Sequence, residues 1–576
     1  MLSGIVSEEV PCIIVFLFIV ERNLFGENNV VRKKRQPKRE ENPVPSGGGG
    51  EWVLTTDIRS RSGMLLSCLL GATVLILYLP LSQFPFVQDD WMIIREFTFH
   101  RTSSVLLDIF SPAGKFFYRP LGSLCCWLVY ELFGLHPIGF HLVSLLFLIV
   151  SSFLVVSVAG ALTGTRAVAW GSGFLFAAAS NIHIDPQMWL AGMFDIGAGL
   201  FALLCIDSFI KKRFSISFLW FTMALGFKES MAMLLFVLVA WTFLNGSDPR
   251  GQKPTYLRGL KRLKWHSVAF LAFVAAKMTG GSLFALPETQ AYAARLIGNN
   301  IGSNFQLFTV WGLQAVTPLK SFVFSENGAL IALSAVTAGL VLVLFAGIRH
   351  SWKTGSDIRR ALANTLFMLI WFLLMLFPSL TLMNHFSRYY LTAALPPLAI
   401  GTMLVMKSAL LDAGRGAGFI LYATMALAAS NVIDGIVSVY RRVGLGVLDG
   451  IHASSRDGDN HLIRKASIVR ETWKPLLAVL PSIPPHSLLV LEGIDTGCFS
   501  DKYGLQVLYG DSTLLLTSSI PEGPDSLGML HATVAAEDPS NRPTEPCVIT
   551  FPASRTVHVR YAQGRMELVR SGYRTE

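Results

Sequence analysis

The chain has 576 residues, of which 52% are hydrophobic and only 15% charged, and its mean hydropathy is +0.50. A soluble domain carries roughly 25% charged residues, so a water-soluble globule is excluded, as is a mostly disordered chain. Seven cysteines without a C-x-x-C exclude a zinc-finger or disulfide framework. A membrane protein with several spans remains, in which the net charge of +10 marks cytoplasmic loops rather than nucleic-acid binding.

Residues 1–60 differ from the rest. The apolar run Ile13 to Val20 is too short to span and is flanked by Glu8, Glu9 and Glu21, unlike a signal peptide. Arg32, Lys33, Lys34, Arg35, Lys38 and Arg39, then Pro43, Pro45 and Gly47 to Gly50, read as a cytoplasmic basic tail and linker. A span needs roughly 20 apolar residues. Spans are expected near 63–82, 138–160, 166–182, 195–210, 214–227, 230–245, 265–286, 328–348, 361–377, 391–409 and 416–438, or about eleven helices between 63 and 440.

Basic clusters set the orientation. Arg59 and Arg61, Arg166, Lys211 to Arg213, the loop from Arg250 to Lys264, Arg349 to Arg360, and Lys407 with Arg415 all fall on the cytoplasmic side. That result requires the apolar stretch 119–134 not to cross. It is expected to lie within a long first outer loop, 83–137. Residues 441–576 carry short apolar runs, Ser487 to Leu491, Thr513 to Thr517, Val548 to Phe551, Val557 to Tyr561 and Met566 to Val569. The alternating Val557, Val559 and Tyr561, with a turn at Gln563-Gly564, predict a hairpin, and Leu462 to Leu480 predicts a helix. The fold class is an all-α polytopic membrane protein with a C-terminal soluble α/β or mainly β domain on the outer side. Cys498 and Cys547 in that domain are either a disulfide or two free thiols.

Ionisable groups at membrane depth mark function by default. With this orientation, Asp89-Asp90-Trp91, Arg119, His183-x-Asp185, Asp195, Lys228-Glu229 and His385-x-x-Arg388-Tyr389-Tyr390 gather on one face. Asp89 and Asp90 are adjacent carboxylates, and like charges that close raise one pKa towards a general base. The same pair would also serve as a helix cap. A base acting on an acceptor hydroxyl, with Arg388, Lys228, Arg119 or His183 against a leaving phosphate, is what sugar transfer from a charged lipid needs. Trp91 and Trp189 read as interfacial anchors.

Phe86-Val-Gln-Asp-Asp-Trp91 followed by Tyr118-Arg-Pro-Leu-Gly122 resembles the first outer loop of the GT-C glycosyltransferases. Ser180 to Asp195 is similar to the pattern H-P-x-H-x-E-x-x-x-W-x-x-G-R-x-D of their protein O-mannosyltransferase-like branch. Gly226-Phe-Lys-Glu-Ser230 resembles its K-E segment, and His385 to Tyr390 its late Arg-containing loop. Departures are Ser180-Asn181 for His-Pro, Asp185 for Glu and Met193 for Arg. The resemblance implies a polyprenyl-phosphate-linked sugar donor, a glycan, lipid or protein acceptor, and Asp89 or Asp90 as the catalytic carboxylate. It leaves open a divalent cation, for which Asp89, His183 and Asp185 are candidate ligands. No nucleic-acid partner is expected. The absence of a C-terminal retention tetrapeptide favours a bacterial inner membrane. The rival readings are a lipid-linked-sugar transporter, which would show repeated halves and midplane charges, and an inactive scaffold of the same fold.

Overall fold

The computed structural model describes residues 61–113, 115, 117–245, 256–279, 292–316, 358–412, 432–433, 435–437, 439, 461–500, 502–518, 529–534, 547–562 and 565–571. The basic tail, the expected span 328–348, most of the expected span 416–438 and the turn Gln563-Gly564 lie outside them. The chain is an integral membrane protein, mostly helical. Among the described residues, four helical segments are long and apolar enough to cross a membrane: Arg61–Gln83, Pro137–Thr163, Gly192–Ile210 and Ala361–Leu380. A fifth is added if Arg166–Ala177 and Ser180–Met188, bent by 49°, count as one span. Other apolar helices are shorter, among them Pro120–Phe133, Phe214–Phe227 and Leu395–Lys407.

The helices run between two ends of one bundle. Helix α1 (Arg61–Tyr78) leads into the loop bearing α2 (Asp89–Phe99), α3 (Thr102–Phe110) and α4 (Pro120–Phe133). Helix α5 (Pro137–Thr163) opens on proline, which favours the first helical turn, and stops at Gly164 (φ 63°), whose N–H bonds Gly160 C=O at 2.9 Å. Its 27 residues reach about 40 Å, more than the roughly 30 Å hydrocarbon core. Then come α6 (Arg166–Ala177), α7 (Ser180–Met188), α8 (Gly192–Ile210) and α9 (Phe214–Phe227). A Cβ on Gly192 would lie 2.3 Å from Pro186 Cα; only glycine lets the chain reverse there.

Side-chain bonds identify the ends. Arg166 bonds Ser62 at 2.7 Å, Ser157 bonds Asp207 at 2.7 Å, and Lys407 bonds Thr165 at 3.1 Å. These mark the basic end, where Lys211 also pairs with Asp207 at 2.8 Å. At the other end, Tyr78 bonds Ala177 C=O at 2.8 Å, and His141 in the first turns of α5 meets Phe84 C=O at 3.0 Å and Gln187 C=O at 2.8 Å. Arg119, at the start of α4, reaches Glu229 beyond the end of α9. Both ends of α4 therefore lie at the non-basic end of the bundle. Its 14 residues extend about 21 Å.

The later helices are α10 (Leu234–Asn245), α11 (Tyr256–Arg262), α12 (Lys264–Thr279), α13 (Asn299–Val316), α14 (Ile358–Leu380) and α15 (Leu395–Asp412). Among the described residues of the C-terminal region, the first element is α16 (His461–Val479). Strand β1 (Leu488–Glu492) pairs in parallel with β2 (Leu515–Thr517) on one side and β5 (Thr556–Ala562) on the other; β5 pairs antiparallel with β6 (Arg565–Ser571). Helix α17 (Lys502–Tyr509) connects β1 to β2, while β3 (Met529–Val534) and β4 (Cys547–Pro552) form a separate antiparallel pair. The arrangement is α/β. Leu488 to Leu491 are all buried, as a central parallel strand requires. Cys498 is a buried free thiol, its pKa pushed by burial up to about 12.

Glu492 Oε2 accepts from Arg560 Nε at 2.7 Å and meets His558 Nε2 at 3.0 Å. The Arg560 bond holds its carboxyl below the usual range. A depressed folded pKa gives stability that is present above the unfolded glutamate value of about 4.3 and lost as pH falls through the folded one. Glu492→Gln is therefore expected to reduce the acid sensitivity of amide exchange in β1 and β5 below about pH 4.3. Identical acid profiles for both proteins would contradict it.

Candidate functional site

Asp89 and Asp90 occupy the first turn of α2, where the helix N-terminus favours negative charge. They have different environments. Asp90 is 1% exposed. Its Oδ2 accepts from Val87 N–H at 3.0 Å and its Oδ1 from Ala191 N–H at 3.3 Å, tying the loop to the α7–α8 turn. Burial holds its carboxyl well above the usual range, with the neighbouring Asp89 adding to it. Adjacency is thus the lesser cause of the shift, and the shifted carboxyl faces inward. Asp89 is exposed. The preceding Gln88 sits at φ 50°, ψ −125°, a glycine-like conformation costing a residue with a side chain on the order of 1–3 kcal/mol.

The cationic groups arrive with partners. Arg119 donates to Glu229 through Nε at 2.8 Å and Nη2 at 2.7 Å, a bidentate pair of the geometry guanidinium favours. Its guanidinium lies over Phe117 (4.5 Å) and Phe194 (5.5 Å). Lys228 donates to Asp195 in the first turn of α8 and faces the rings of Tyr390 (4.9 Å) and Tyr389 (5.5 Å). Burial lowers the Lys228 pKa and Asp195 opposes that. The four charges form two ion pairs, Arg119–Glu229 and Lys228–Asp195.

Sequence reasoning missed two residues here. Lys277, at the end of α12, is 8% exposed and within electrostatic reach of Glu229 and Arg119. Its signal was a lone cation near the end of an apolar helix. Tyr292 gave none. It stacks on His385 with ring centroids 4.6 Å apart and meets Phe117 edge-on at 4.9 Å. Burial pushes its phenol up to about 12, helped by Asp89, Asp195 and Glu229; this ring stands between the first loop and the ion pairs. His385 Nδ1 and Tyr390 Oη are hydrogen-bonded at 2.7 Å.

His183 lies elsewhere. It is fully buried, with Nε2 at 3.0 Å from Phe176 C=O and its ring edge-on to Phe176 and Tyr78. Asp185 is half-buried on α7, and positions i and i+2 of a helix do not face each other. Among the described residues no three His, Cys, Asp or Glu side chains converge as a metal site, so Asp89, His183 and Asp185 do not form one. Arg388 lies over the Trp311 ring at 5.6 Å, and Asn181 Nδ2 donates to Trp311 C=O at 3.2 Å. Met193, at the pattern's arginine position, is fully buried. Trp91 is also fully buried, which removes it as an interfacial anchor. Trp189 packs on Tyr389 at 5.8 Å.

No family model matches the chain. Over 121 residues it is 32% identical to Protein O-mannosyl-transferase tmtc2 of Xenopus laevis, a match covering 20% of this chain and 14% of that relative's length. That name agrees with the O-mannosyltransferase-like resemblance of residues 180–195 and 226–230. Among solved structures, ArnT from Cupriavidus metallidurans bound to undecaprenyl phosphate is 14% identical over 80% of this chain and 87% of its own, with a TM-score of 0.46. The oligosaccharyltransferase AglB from Archaeoglobus fulgidus, in complex with an inhibitory peptide and a dolichol-phosphate, is 11% identical over 78% of this chain and 64% of its own, with a TM-score of 0.40. Both scores are below 0.5, so neither bears on the substrate of this chain.

Proposed function

We propose that the protein is a glycosyltransferase that moves a sugar from a polyprenyl-phosphate carrier to an acceptor hydroxyl, at the end of the bundle that carries Asp89. The observation that carries this reading is the meeting of an exposed carboxylate with a buried cluster of cations and tyrosines. Asp89 takes the acceptor's proton as the hydroxyl oxygen attacks the anomeric carbon. The bond from that carbon to the phosphate oxygen breaks, and the lipid phosphate leaves with the electron pair. Attack opposite the leaving group inverts the centre.

Arg119, Lys228 and Lys277 bring positive charge to this end of the bundle, where it meets the negative charge that develops on the leaving phosphate. The Tyr292–His385 stack and the faces of Tyr389 and Tyr390 offer apolar walls with polar edges for a sugar ring. The basic clusters at the far end support a cytoplasmic position for that end and an outer-face position for the site. Residues 441–576 then lie outside, and residues 63–440 form the catalytic membrane domain.

The test is transfer by the purified protein in nanodiscs, with a panel of polyprenyl-phosphate sugars and membrane extract as acceptor. Donor-dependent transfer is expected. In the same assay Lys277→Gln is expected to raise the donor KM by roughly 10- to 100-fold, as loss of a charge-assisted bond of about 1.5–3 kcal/mol implies. Donor binding without turnover in the wild type would move the reading to transport.

A further inference from the structure

The C-terminal α/β region grips the loop that presents Asp89. Open α/β sheets hold ligands outside the carboxyl ends of their strands, where the strand order reverses. Strand β1 is that point here, flanked by parallel β2 and β5. The loop leaving β1 and the helix α17 behind it are packed against α2. Trp91 is fully buried against Phe499 (6.3 Å), Trp473 of α16 (5.6 Å) and Phe86 (5.6 Å). A Cβ on Gly504 would come within 3.0 Å of Trp91 Cδ2. Arg95 Nε donates to Gln506 Oε1 at 2.6 Å, and the guanidinium lies 5.2 Å from the Tyr503 ring. The Gln506 amide nitrogen is itself anchored to Ser512 and Leu514 carbonyls, both at 2.9 Å, which fixes the oxygen facing Arg95.

These contacts share one face. Trp91 and Arg95 are four apart, so they project together from α2, while Asp89 lies off that face and is exposed. Gln88 is the decisive position. Its N–H donates to Cys498 C=O at 3.1 Å, and its backbone sits at φ 50°. Cys498 belongs to the same turn as Ser500, also at positive φ (51°). A non-glycine residue stays in such a conformation only where its surroundings over-determine it.

Resting on the transferase reading for its consequence in catalysis, we infer that Trp473, Phe499 and Gln506 are positioning residues: the C-terminal region holds Gln88 in its glycine-like bend and so fixes where Asp89 points. Trp473→Ala in the full-length protein should raise amide exchange in residues 84–99 about tenfold or more, with α5 unchanged. Sugar transfer should lose about tenfold in kcat with donor KM within about twofold, since a small misplacement of a reacting group acts on the chemical step. Gln88→Gly, free to adopt positive φ without outside support, should restore most of the lost kcat when added to Trp473→Ala. A purely structural loss would show no such rescue. Arg95→Met, which leaves the aromatic core intact, should change exchange and kcat in the same direction by a smaller factor, and stands in if Trp473→Ala fails to fold. Unchanged exchange in residues 84–99 in both variants, or a fall in kcat that Gln88→Gly does not relieve, overturns the inference. Faster exchange in the variants of a wild type that transfers no sugar supports the grip and overturns the transferase reading instead.

Discussion

Asp89→Asn is expected to lower kcat for sugar transfer by about 10³-fold, within the range of a positioned general base, with the melting temperature close to wild type. The exposed side chain makes the substitution structurally mild. Asp90 should behave in the opposite way. Its two oxygens accept from Val87 and Ala191 N–H groups, so Asp90→Ala leaves two donors unpaired, of which the buried Val87 N–H alone costs about 1–3 kcal/mol. The loop would detach from the α7–α8 turn, and thermal unfolding in detergent would fall. Asp90→Asn keeps one acceptor and should lie between. Initial rates and melting curves for the three variants separate the roles. Equal transfer by Asp89→Asn and wild type would sink the assignment, and so would an Asp90→Asn protein that melts normally yet transfers nothing.

The difference between these neighbours was not legible in the sequence. An Asp-Asp pair says only that one pKa rises; which carboxyl turns inward depends on the α7–α8 turn, about a hundred positions away. The bundle's polarity was more accessible. Lys and Arg are costly in an apolar stretch, so Arg166, Lys211 and Lys407 had to collect at helix ends, and they meet at one end here. Strands β1, β2 and β5 coincide with short apolar runs, and in β5 Val557 and Val559 are buried while His558 and Arg560 are less so. Strand β3 had no such pattern. In the site, Arg119, Asp195, Lys228 and Glu229 stood out because each interrupts apolar sequence. Their pairing did not, since Arg119 and Glu229 are 110 positions apart and Asp195 and Lys228 are 33 apart. The pairing of His183 with Asp185 failed for a local reason: two residues along a helix turn to different faces.

The Lys228–Asp195 pair should show the largest stability effects. Both side chains are about nine-tenths buried, with 9% and 10% exposure, and removing one partner of a buried pair typically costs about 3–5 kcal/mol because the other charge is left without compensation. Lys228→Met and Asp195→Leu should each fall in that range. The double variant should cost far less than their sum, because apolar residues of similar volume often replace a buried ion pair at little net cost. The resulting coupling, at least about 2 kcal/mol, is measurable by a double-mutant cycle on thermal or denaturant unfolding. Additive losses would mean that the two charges are compensated separately, through Arg119 and Glu229. The same folded double variant then tests what the pair is for. If Lys228 supplies charge to the departing phosphate, transfer should fall by on the order of 10² to 10³-fold even with stability restored. If the pair only joins α8 to the end of α9 beneath Tyr389 and Tyr390, transfer should return to the wild-type rate, and the work at the phosphate would rest on Lys277 and the Arg119–Glu229 fork.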